Sequence, residues 1–224
     1  MVVTVVNDAL ADHAIAALRR ARENPAEPLF LAVGFVRPHL PFSVPQKYWD
    51  LYDPDKIPLP AIDHLPAGAP EFAGHNNSEL HNYPGVPKGN PIPADFAKQL
   101  RHGYYAAVSF TDHNVGRLLD ALDAEGLANN TVVVLWGDHG WHLGDHGMWT
   151  KHTNYEEANH IPLLIVAPGV TQPGTRTNAM TETVDLYPTL AELAGLPAPW
   201  RLVSYHQHHL SVFERRKGRH PRGN

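Results

Sequence analysis

The chain has 224 residues, of which 43% are hydrophobic and 18% are charged, and it contains 21 prolines, 16 histidines and no cysteine. This composition excludes disorder for most of the chain, because disordered segments combine low hydrophobicity with high net charge. The lack of cysteine excludes disulfides, thiolate zinc sites, iron–sulfur clusters and a cysteine nucleophile within these residues. No apolar run approaches the ~18–20 residues that cross a bilayer, so we expect no membrane span.

The formal net charge of −5 is unevenly distributed along the chain. Residues 1–199 hold 12 Lys and Arg against 22 Asp and Glu, whereas residues 200–224 hold 6 against 1. The acidic body argues against nucleic acid as a partner, because the phosphate backbone attracts basic surfaces. We expect residues 200–224 to be a disordered or non-native basic tail. The N-terminal residues lack a basic start and include Asp8 and Asp12, so no signal peptide is expected in this chain.

Helices are predicted at three places along the chain. The first begins at Asn7 or Asp8, either of which can cap it, and its apolar residues recur at helical spacing. The second spans about residues 94–125 and ends before Gly126, and the third spans about residues 183–194. The apolar residues near one face of the second helix are Tyr104, Val108, Val115, Leu119 and Leu122.

Three short apolar runs, residues 29–36, 131–136 and 162–167, predict buried strands. Each run is apolar on both faces, which is typical of parallel strands that are covered by helices on either side. Residues 38–93 hold 12 of the 21 prolines and predict a long loop excursion of turns and extended pieces. The alternation of helices with buried strands indicates an α/β fold with helices on the faces of the sheet.

Polar residues directly follow two of the predicted strands. Arg37 and His39 follow the first strand, and Asp138 and His139 follow the second, with Lys151 further along the same loop. Ligands of open α/β sheets bind outside the carboxyl ends of the strands, so these residues are predicted to lie near one crevice. Asp138 and His139 can hold a divalent cation, and His39 and Lys151 can neutralise an oxyanion.

The same residues also have purely structural interpretations. A turn with a capping carboxylate accounts for Asp138 and His139, a packed loop histidine for His39, and a solvated surface lysine for Lys151. Three further loop histidines, His142, His146 and His152, are expected to form hydrogen bonds within the loop. The residues alone therefore indicate a metal-dependent hydrolase of an anionic ester, with zinc or manganese suiting the histidines better than calcium.

Four segments carry a resemblance to a known family: residues 28–53, 104–127, 130–169 and 181–197. They resemble the sulfatases of the alkaline phosphatase superfamily, most closely the iduronate-2-sulfatase-like branch, and GDHGWHLGDHGMWTKHTN is the most specific match. The resemblance implies an α/β sandwich around a large mixed sheet flanked by helices. It also implies hydrolysis of a sulfate ester of a small molecule or glycan, such as an iduronate 2-sulfate.

The resemblance implies roles for individual residues as well. Asp138 and His139 would be ligands of one calcium ion. His39 and Lys151 would contact the sulfate group, and Lys151 would also stabilise or protonate the leaving oxygen. The nucleophile of such enzymes is a formylglycine made from the first residue of a C/S-x-P-S-R motif.

The chain departs from the family pattern in several places. It contains neither a C/S-x-P-S-R motif nor the Asp-Asp pair that supplies the remaining metal carboxylates, and the family's continuation is absent from Trp200 onward. We therefore expect residues 1–199 to be the later part of a sulfatase catalytic domain, from a truncated or frameshifted gene, and this chain alone to be inactive. The alternatives are a non-catalytic sulfated-glycan-binding protein that uses Arg37, His39 and Lys151, and a related metal-dependent phosphoesterase.

Overall fold

The computed structural model describes residues 6–197. The helices are α1 (Val6–Glu23), α2 (Gln46–Trp49), α3 (Ser78–His81), α4 (Ala94–Ala124), α5 (Glu156–Asn159) and α6 (Leu186–Leu193). The strands are β1 (Val133–Trp136) and β2 (Leu163–Val166), which pair with each other. None of the helices within the described range is long and apolar enough to cross a membrane.

The chain divides into two compact units. The first comprises the chain up to Ala128 together with Trp136–Pro162, and it contains α1 to α5. The second comprises Asn129–Leu135 and the chain from Leu163 onward, and it contains β2, most of β1 and α6. The predicted tail, residues 200–224, lies outside the described residues, so the predicted domain limits stay predictions.

Helix α1 confirms the first predicted helix, but neither proposed residue caps it. Asn7 lies inside the helix, and its side chain accepts a hydrogen bond from the Val36 N–H at 3.1 Å and donates one to Thr111 Oγ1 at 3.2 Å. The residues of α1 that are buried are Asn7, Ala11, Ala14 and Leu18. Their spacing of three and four residues places them on one face of the helix, and α1 contacts α4.

Helix α4 confirms the long predicted helix, but of the five residues expected on its apolar face only Leu122 is buried. Its buried residues are Ala97, Gly103, Ala106, Ala107, Phe110, Asn114 and Leu122. Val108 and Leu119 are 43% and 44% exposed. Four of the seven buried residues are glycine or alanine. At Gly103 a larger residue would not fit, because a Cβ there would lie 2.8 Å from the ring of Trp49.

The prediction of three buried strands is wrong in two respects. Residues 29–36 form no strand in the described structure, and Phe30 is 84% exposed. The other two strands are present but only partly covered, since Leu164 and Val166 of β2 are 57% and 56% exposed. An apolar run becomes a buried strand only when other elements pair with it and cover it, and within residues 6–197 only β1 and β2 pair.

A cluster of buried apolar residues lies beneath the candidate site and joins the Pro-rich segment to α4 and to the loop after β1. Its buried members are Leu40, Phe42, Leu80, Ile92, Ala97, Ala107 and Trp149. Residues 38–93 contain only α2, α3 and two single 3₁₀ turns, as predicted, and four of their apolar side chains, Leu40, Phe42, Leu80 and Ile92, anchor them on this cluster. These anchors give a long irregular segment fixed positions at the site.

Candidate active site

Buried apolar residues bring three polar side chains to one place. Each polar residue directly precedes a member of the apolar cluster or follows one by two positions. The anchors are Leu40, Leu80 and Trp149, and the polar residues beside them are His39, Glu79 and Lys151. Close packing of the anchors leaves the polar residues little freedom to separate, although they come from distant parts of the chain. We call His39, Glu79 and Lys151 the Lys151 cluster.

Short polar contacts join all three members of the Lys151 cluster. Lys151 Nζ lies 2.9 Å from Glu79 Oε1 and 3.2 Å from His39 Nε2. The same Glu79 oxygen lies 3.2 Å from His39 Nε2. The Lys151 side chain is only 18% exposed, so its interpretation as a solvated surface lysine is wrong.

The tautomer of His39 follows from its backbone contact. Nδ1 lies 3.0 Å from the carbonyl oxygen of Leu40, which can only accept, so Nδ1 carries a proton. In neutral His39, Nε2 accepts a hydrogen bond from the Lys151 ammonium; in protonated His39, Nε2 donates to Glu79 instead. Arg37 supports this loop by donating hydrogen bonds to the carbonyl oxygens of His39 and Ser43, both at 3.0 Å.

The electrostatics of Glu79 are set by opposing effects. Burial raises the pKa of the carboxyl group, but the hydrogen bond from Lys151 and the charges of Lys151, His39 and His152 outweigh burial, so the pKa lies below its ordinary value. Glu79 Oε2 is buried without a hydrogen bond, 3.8 Å from His152 Nε2. The His152 ring in turn lies 5.9 Å from that of His75, whose pKa is lowered by burial and then by the charge of His152.

An open cleft of about 550 Å³ adjoins the cluster at Lys151. The residues that line it are Phe72, Ala73, Gly74, Lys151, His152, Thr153, Asn154 and Tyr155. The ring centre of Trp141 lies 5.7 Å from Lys151 Nζ. A cleft with an ammonium, an imidazole, a hydroxyl and an amide on its wall suits a polar ligand that carries an anionic group.

Asp138 and His139 lie directly after β1, as predicted from the sequence. Asp138 Oδ1 accepts a hydrogen bond from the His139 N–H at 3.0 Å, and its side chain is 87% exposed. His139 Nδ1 lies 2.6 Å from the Gly140 carbonyl oxygen, which leaves Nε2 3.7 Å from Asp138 Oδ2. No hydrogen bond or ion pair in the described structure joins this pair to the Lys151 cluster.

These two residues are too few to make a calcium site by themselves. Calcium takes 6–8 oxygen ligands, whereas the pair offers one carboxylate and one imidazole nitrogen. Residues 6–197 contain no group of three or more His, Asp or Glu side chains that could hold a metal ion. The donors that the structure describes therefore do not fit calcium without further ligands.

The remaining loop histidines divide between two kinds of contact. His142 confirms the expected hydrogen bond within the loop, with Nε2 2.8 Å from Thr153 Oγ1. The side chains of the other two, in contrast, approach carboxylates: His146 Nε2 lies 3.6 Å from Glu157, and His152 reaches Glu79.

Glu79 is the member of the cluster that the sequence analysis missed. It lies on the four-residue helix α3, in the middle of the Pro-rich segment, with no flanking motif that marks it. The one available signal was the adjacent Leu80, an apolar residue in a polar stretch, which is fully buried. That signal predicts an anchor for the loop but gives no indication of what Glu79 contacts.

Comparisons with known proteins assign the chain to a family. The sulfatase family model matches residues 4–196. Iduronate 2-sulfatase from Homo sapiens is 38% identical over 81% of this chain and 39% of its own length. A sulfatase from Formosa agariphila is 39% identical over 81% of this chain and 35% of its own length. The chain thus spans less than half the length of these curated relatives.

Solved structures give the fold. The phosphonate monoester hydrolase of Silicibacter pomeroyi is similar with a TM-score of 0.74 and 32% identity, over 87% of this chain and 38% of that one. The structural neighbours have the alkaline phosphatase-like α/β fold, which confirms the predicted fold class, although residues 6–197 contain only a two-stranded sheet. Because the family model covers most of the residues, the chain belongs to the sulfatase family.

Proposed function

We propose that this chain is part of an enzyme that hydrolyses sulfate esters, and that Lys151 and His39 bind the sulfate group. The observation that carries the proposal is the 3.2 Å contact between Lys151 Nζ and His39 Nε2 beside an open cleft. The Lys151 ammonium can donate to one oxygen of a tetrahedral anion, and His39 can donate to a second oxygen when Nε2 also carries a proton. Membership of the sulfatase family supports sulfate as that anion.

Lys151 and His39 would act on the sulfate in two ways. Lys151, which lines the cleft, would orient the bound ester through its N–H groups, and protonated His39 beside it would donate from Nε2. As the bond between sulfur and the ester oxygen breaks, negative charge grows on that oxygen, and a fixed ammonium beside it lowers the barrier because it needs no rearrangement during the reaction. Lys151 is also the group that can supply a proton to the leaving oxygen.

The complete enzyme would also need a metal and a nucleophile. We propose calcium and a formylglycine for these roles, on the family resemblance, with Asp138 and His139 contributing two of the metal ligands. Calcium held there would supply positive charge to the site. The 224 residues contain neither cysteine nor a C/S-x-P-S-R motif, so our prediction is that this chain binds sulfate without hydrolysing its esters.

The substrate class that we propose is a sulfated sugar, such as an iduronate 2-sulfate. The 38% identity with human iduronate 2-sulfatase supports this choice. The cleft agrees with a sugar ligand in its chemistry, since Thr153 and Asn154 offer hydrogen-bonding groups beside the exposed ring of Phe72.

Calorimetric titration of the chain with sodium sulfate tests the binding role. Lys151→Ala is expected to weaken sulfate binding about tenfold or more, because a charge-assisted hydrogen bond contributes ~1.5–3 kcal/mol. Lys56→Ala is the matched control, since it removes the same charge from an 83% exposed side chain that pairs with Asp53. Equal affinities of Lys151→Ala and the unaltered chain would contradict the proposal.

Two alternatives are separated by substrate comparison. The structural similarity to a phosphonate monoester hydrolase favours testing a phosphoesterase; tighter binding of phenyl phosphonate than of phenyl sulfate would support it. Saturable binding of a sulfated oligosaccharide that depends on Lys151, with no hydrolysis by any longer form of the protein, would support a glycan-binding protein. Hydrolysis of an aryl sulfate by the 224-residue chain with calcium would contradict our prediction of inactivity.

A further inference from the structure

Glu79 is a carboxylate in a place where the proposed function calls for positive charge. Its Oε1 atom contacts both nitrogen groups that we assign to sulfate, at 2.9 Å from Lys151 and 3.2 Å from His39. A negative charge there repels an incoming sulfate. We therefore expect a favourable effect of Glu79 on sulfate binding that is larger than this repulsion.

The donor geometry of Lys151 supplies such an effect. A lysine ammonium has three N–H donors that rotate freely unless partners hold them. Glu79 takes one donor of Lys151 and His39 Nε2 lies in the direction of a second, which leaves the third for the cleft that Lys151 lines. Without Glu79, the ammonium would keep His39 as its one hydrogen-bond partner, together with the contact to the Trp141 ring.

Residues on both sides of Glu79 in the chain are held in place. Leu80 is fully buried in the apolar cluster, and Asn77 is fully buried as well. The Asn77 side chain accepts a hydrogen bond from the Trp149 N–H at 2.7 Å and donates one to the Gly147 carbonyl at 3.2 Å. The residue that precedes the short helix of Glu79 is thus hydrogen-bonded to the segment that leads into Lys151.

We propose that Glu79 is a positioning residue that holds Lys151 and His39 side by side and directs the free N–H of the Lys151 ammonium into the cleft. The identity of the anion rests on the proposed function, but the tethering of Lys151 does not. Glu79→Gln keeps an oxygen acceptor of the same shape without the charge, whereas Glu79→Ala removes both. Comparison of these two variants separates positioning from charge.

The first measurement is the rate at which an amine-reactive acetylating reagent modifies Lys151, followed by peptide mass spectrometry, with no sulfate present. Lys56, which is 83% exposed, is the internal standard. We expect Lys151 to react about tenfold more slowly than Lys56 in the unaltered chain, close to the Lys56 rate in Glu79→Ala, and slowly again in Glu79→Gln. Equal Lys151 rates in all three proteins would overturn the proposal, whether or not the chain binds sulfate.

The second measurement is the affinity of the same three proteins for sodium sulfate, with thermal melts to show that each is folded. Positioning predicts that Glu79→Gln binds sulfate at least as tightly as the unaltered chain, and that Glu79→Ala binds about fivefold more weakly than Glu79→Gln. A carboxylate that acts only by repulsion would make both variants bind more tightly and equally, which would overturn the proposal. If the acetylation rates are as expected but none of the proteins binds sulfate, the proposed sulfate-binding function is wrong and the positioning of Lys151 by Glu79 is supported.

Discussion

The side-chain oxygen of Asn77 accepts a 2.7 Å hydrogen bond from the backbone N–H of Trp149, 72 residues away in the sequence. The amide nitrogen of the same side chain donates to the carbonyl oxygen of Gly147 at 3.2 Å. Asn77 is fully buried and has a φ of +57°, a left-handed conformation in which asparagine is enriched. One amide thus connects the Pro-rich segment to the loop that carries Lys151.

Asn77→Ala is expected to lower the free energy of unfolding by about 2–4 kcal/mol, because it removes the partner of the buried Trp149 N–H and of the part-buried Gly147 carbonyl and strains the left-handed position. Asn77→Gly removes the same hydrogen bonds without the strain, so it is expected to cost ~1 kcal/mol less than Asn77→Ala. Urea denaturation measures both differences. A loss below about 0.5 kcal/mol for Asn77→Ala would show that the connection is not needed for stability.

Two glycines give opposite expectations for the same substitution. A Cβ on Gly140, in the loop of Asp138 and His139, would overlap the carbonyl oxygen of Glu157. Gly140→Ala is therefore expected to destabilise the protein by about 2–3 kcal/mol. A Cβ on Gly116, inside α4, meets nothing within 4 Å, so Gly116→Ala is expected to stabilise the protein by about 0.5–1 kcal/mol. Thermal melts measure both effects. If the two substitutions changed the melting temperature in the same direction, the packing described for these glycines would be wrong.

Stability is expected to fall on acidification because of His142. The side chain is fully buried, and burial lowers its pKa from the usual value of about 6.5. As the pH falls below that value, the unfolded chain takes up a proton that the folded chain resists, so unfolding becomes more favourable. His142→Phe keeps a ring beside Tyr155 and cannot be protonated, so its free energy of unfolding should fall less between pH 7 and pH 5. Parallel pH profiles from urea denaturation would contradict this assignment.

Calcium is expected to bind this chain weakly. Asp138 and His139 offer two ligands, so water must fill most of the coordination sphere, and we expect a dissociation constant of about 1 mM or weaker. A chelator should then leave the melting temperature unchanged. In micromolar calcium, Asp138→Asn should have the same melting temperature as the unaltered chain. Micromolar calcium affinity by calorimetry would show that the chain supplies further ligands.

The helices of this protein follow from its sequence because helical hydrogen bonds are local. The spacing of apolar residues predicts α1, α4 and α6, and the left-handed Gly126 and Gly195 follow α4 and α6 as expected of helix ends. Which face is buried was less predictable. In α4 the ring of Trp49 packs against Gly103 so closely that a Cβ would not fit there. Trp49 lies some fifty residues earlier in the sequence, so no local pattern indicates this contact.

The sequence by itself determined the family, the α/β class and the candidate residues His39, Asp138, His139 and Lys151, because short motifs with special chemistry are readable in one dimension. Only the tertiary structure decided that residues 29–36 form no strand and stay largely exposed, since a strand needs a partner that its own sequence does not specify. Only the tertiary structure also placed Glu79 between Lys151 and His39. That contact comes from packing three distant apolar anchors into one core, and no local pattern encodes it.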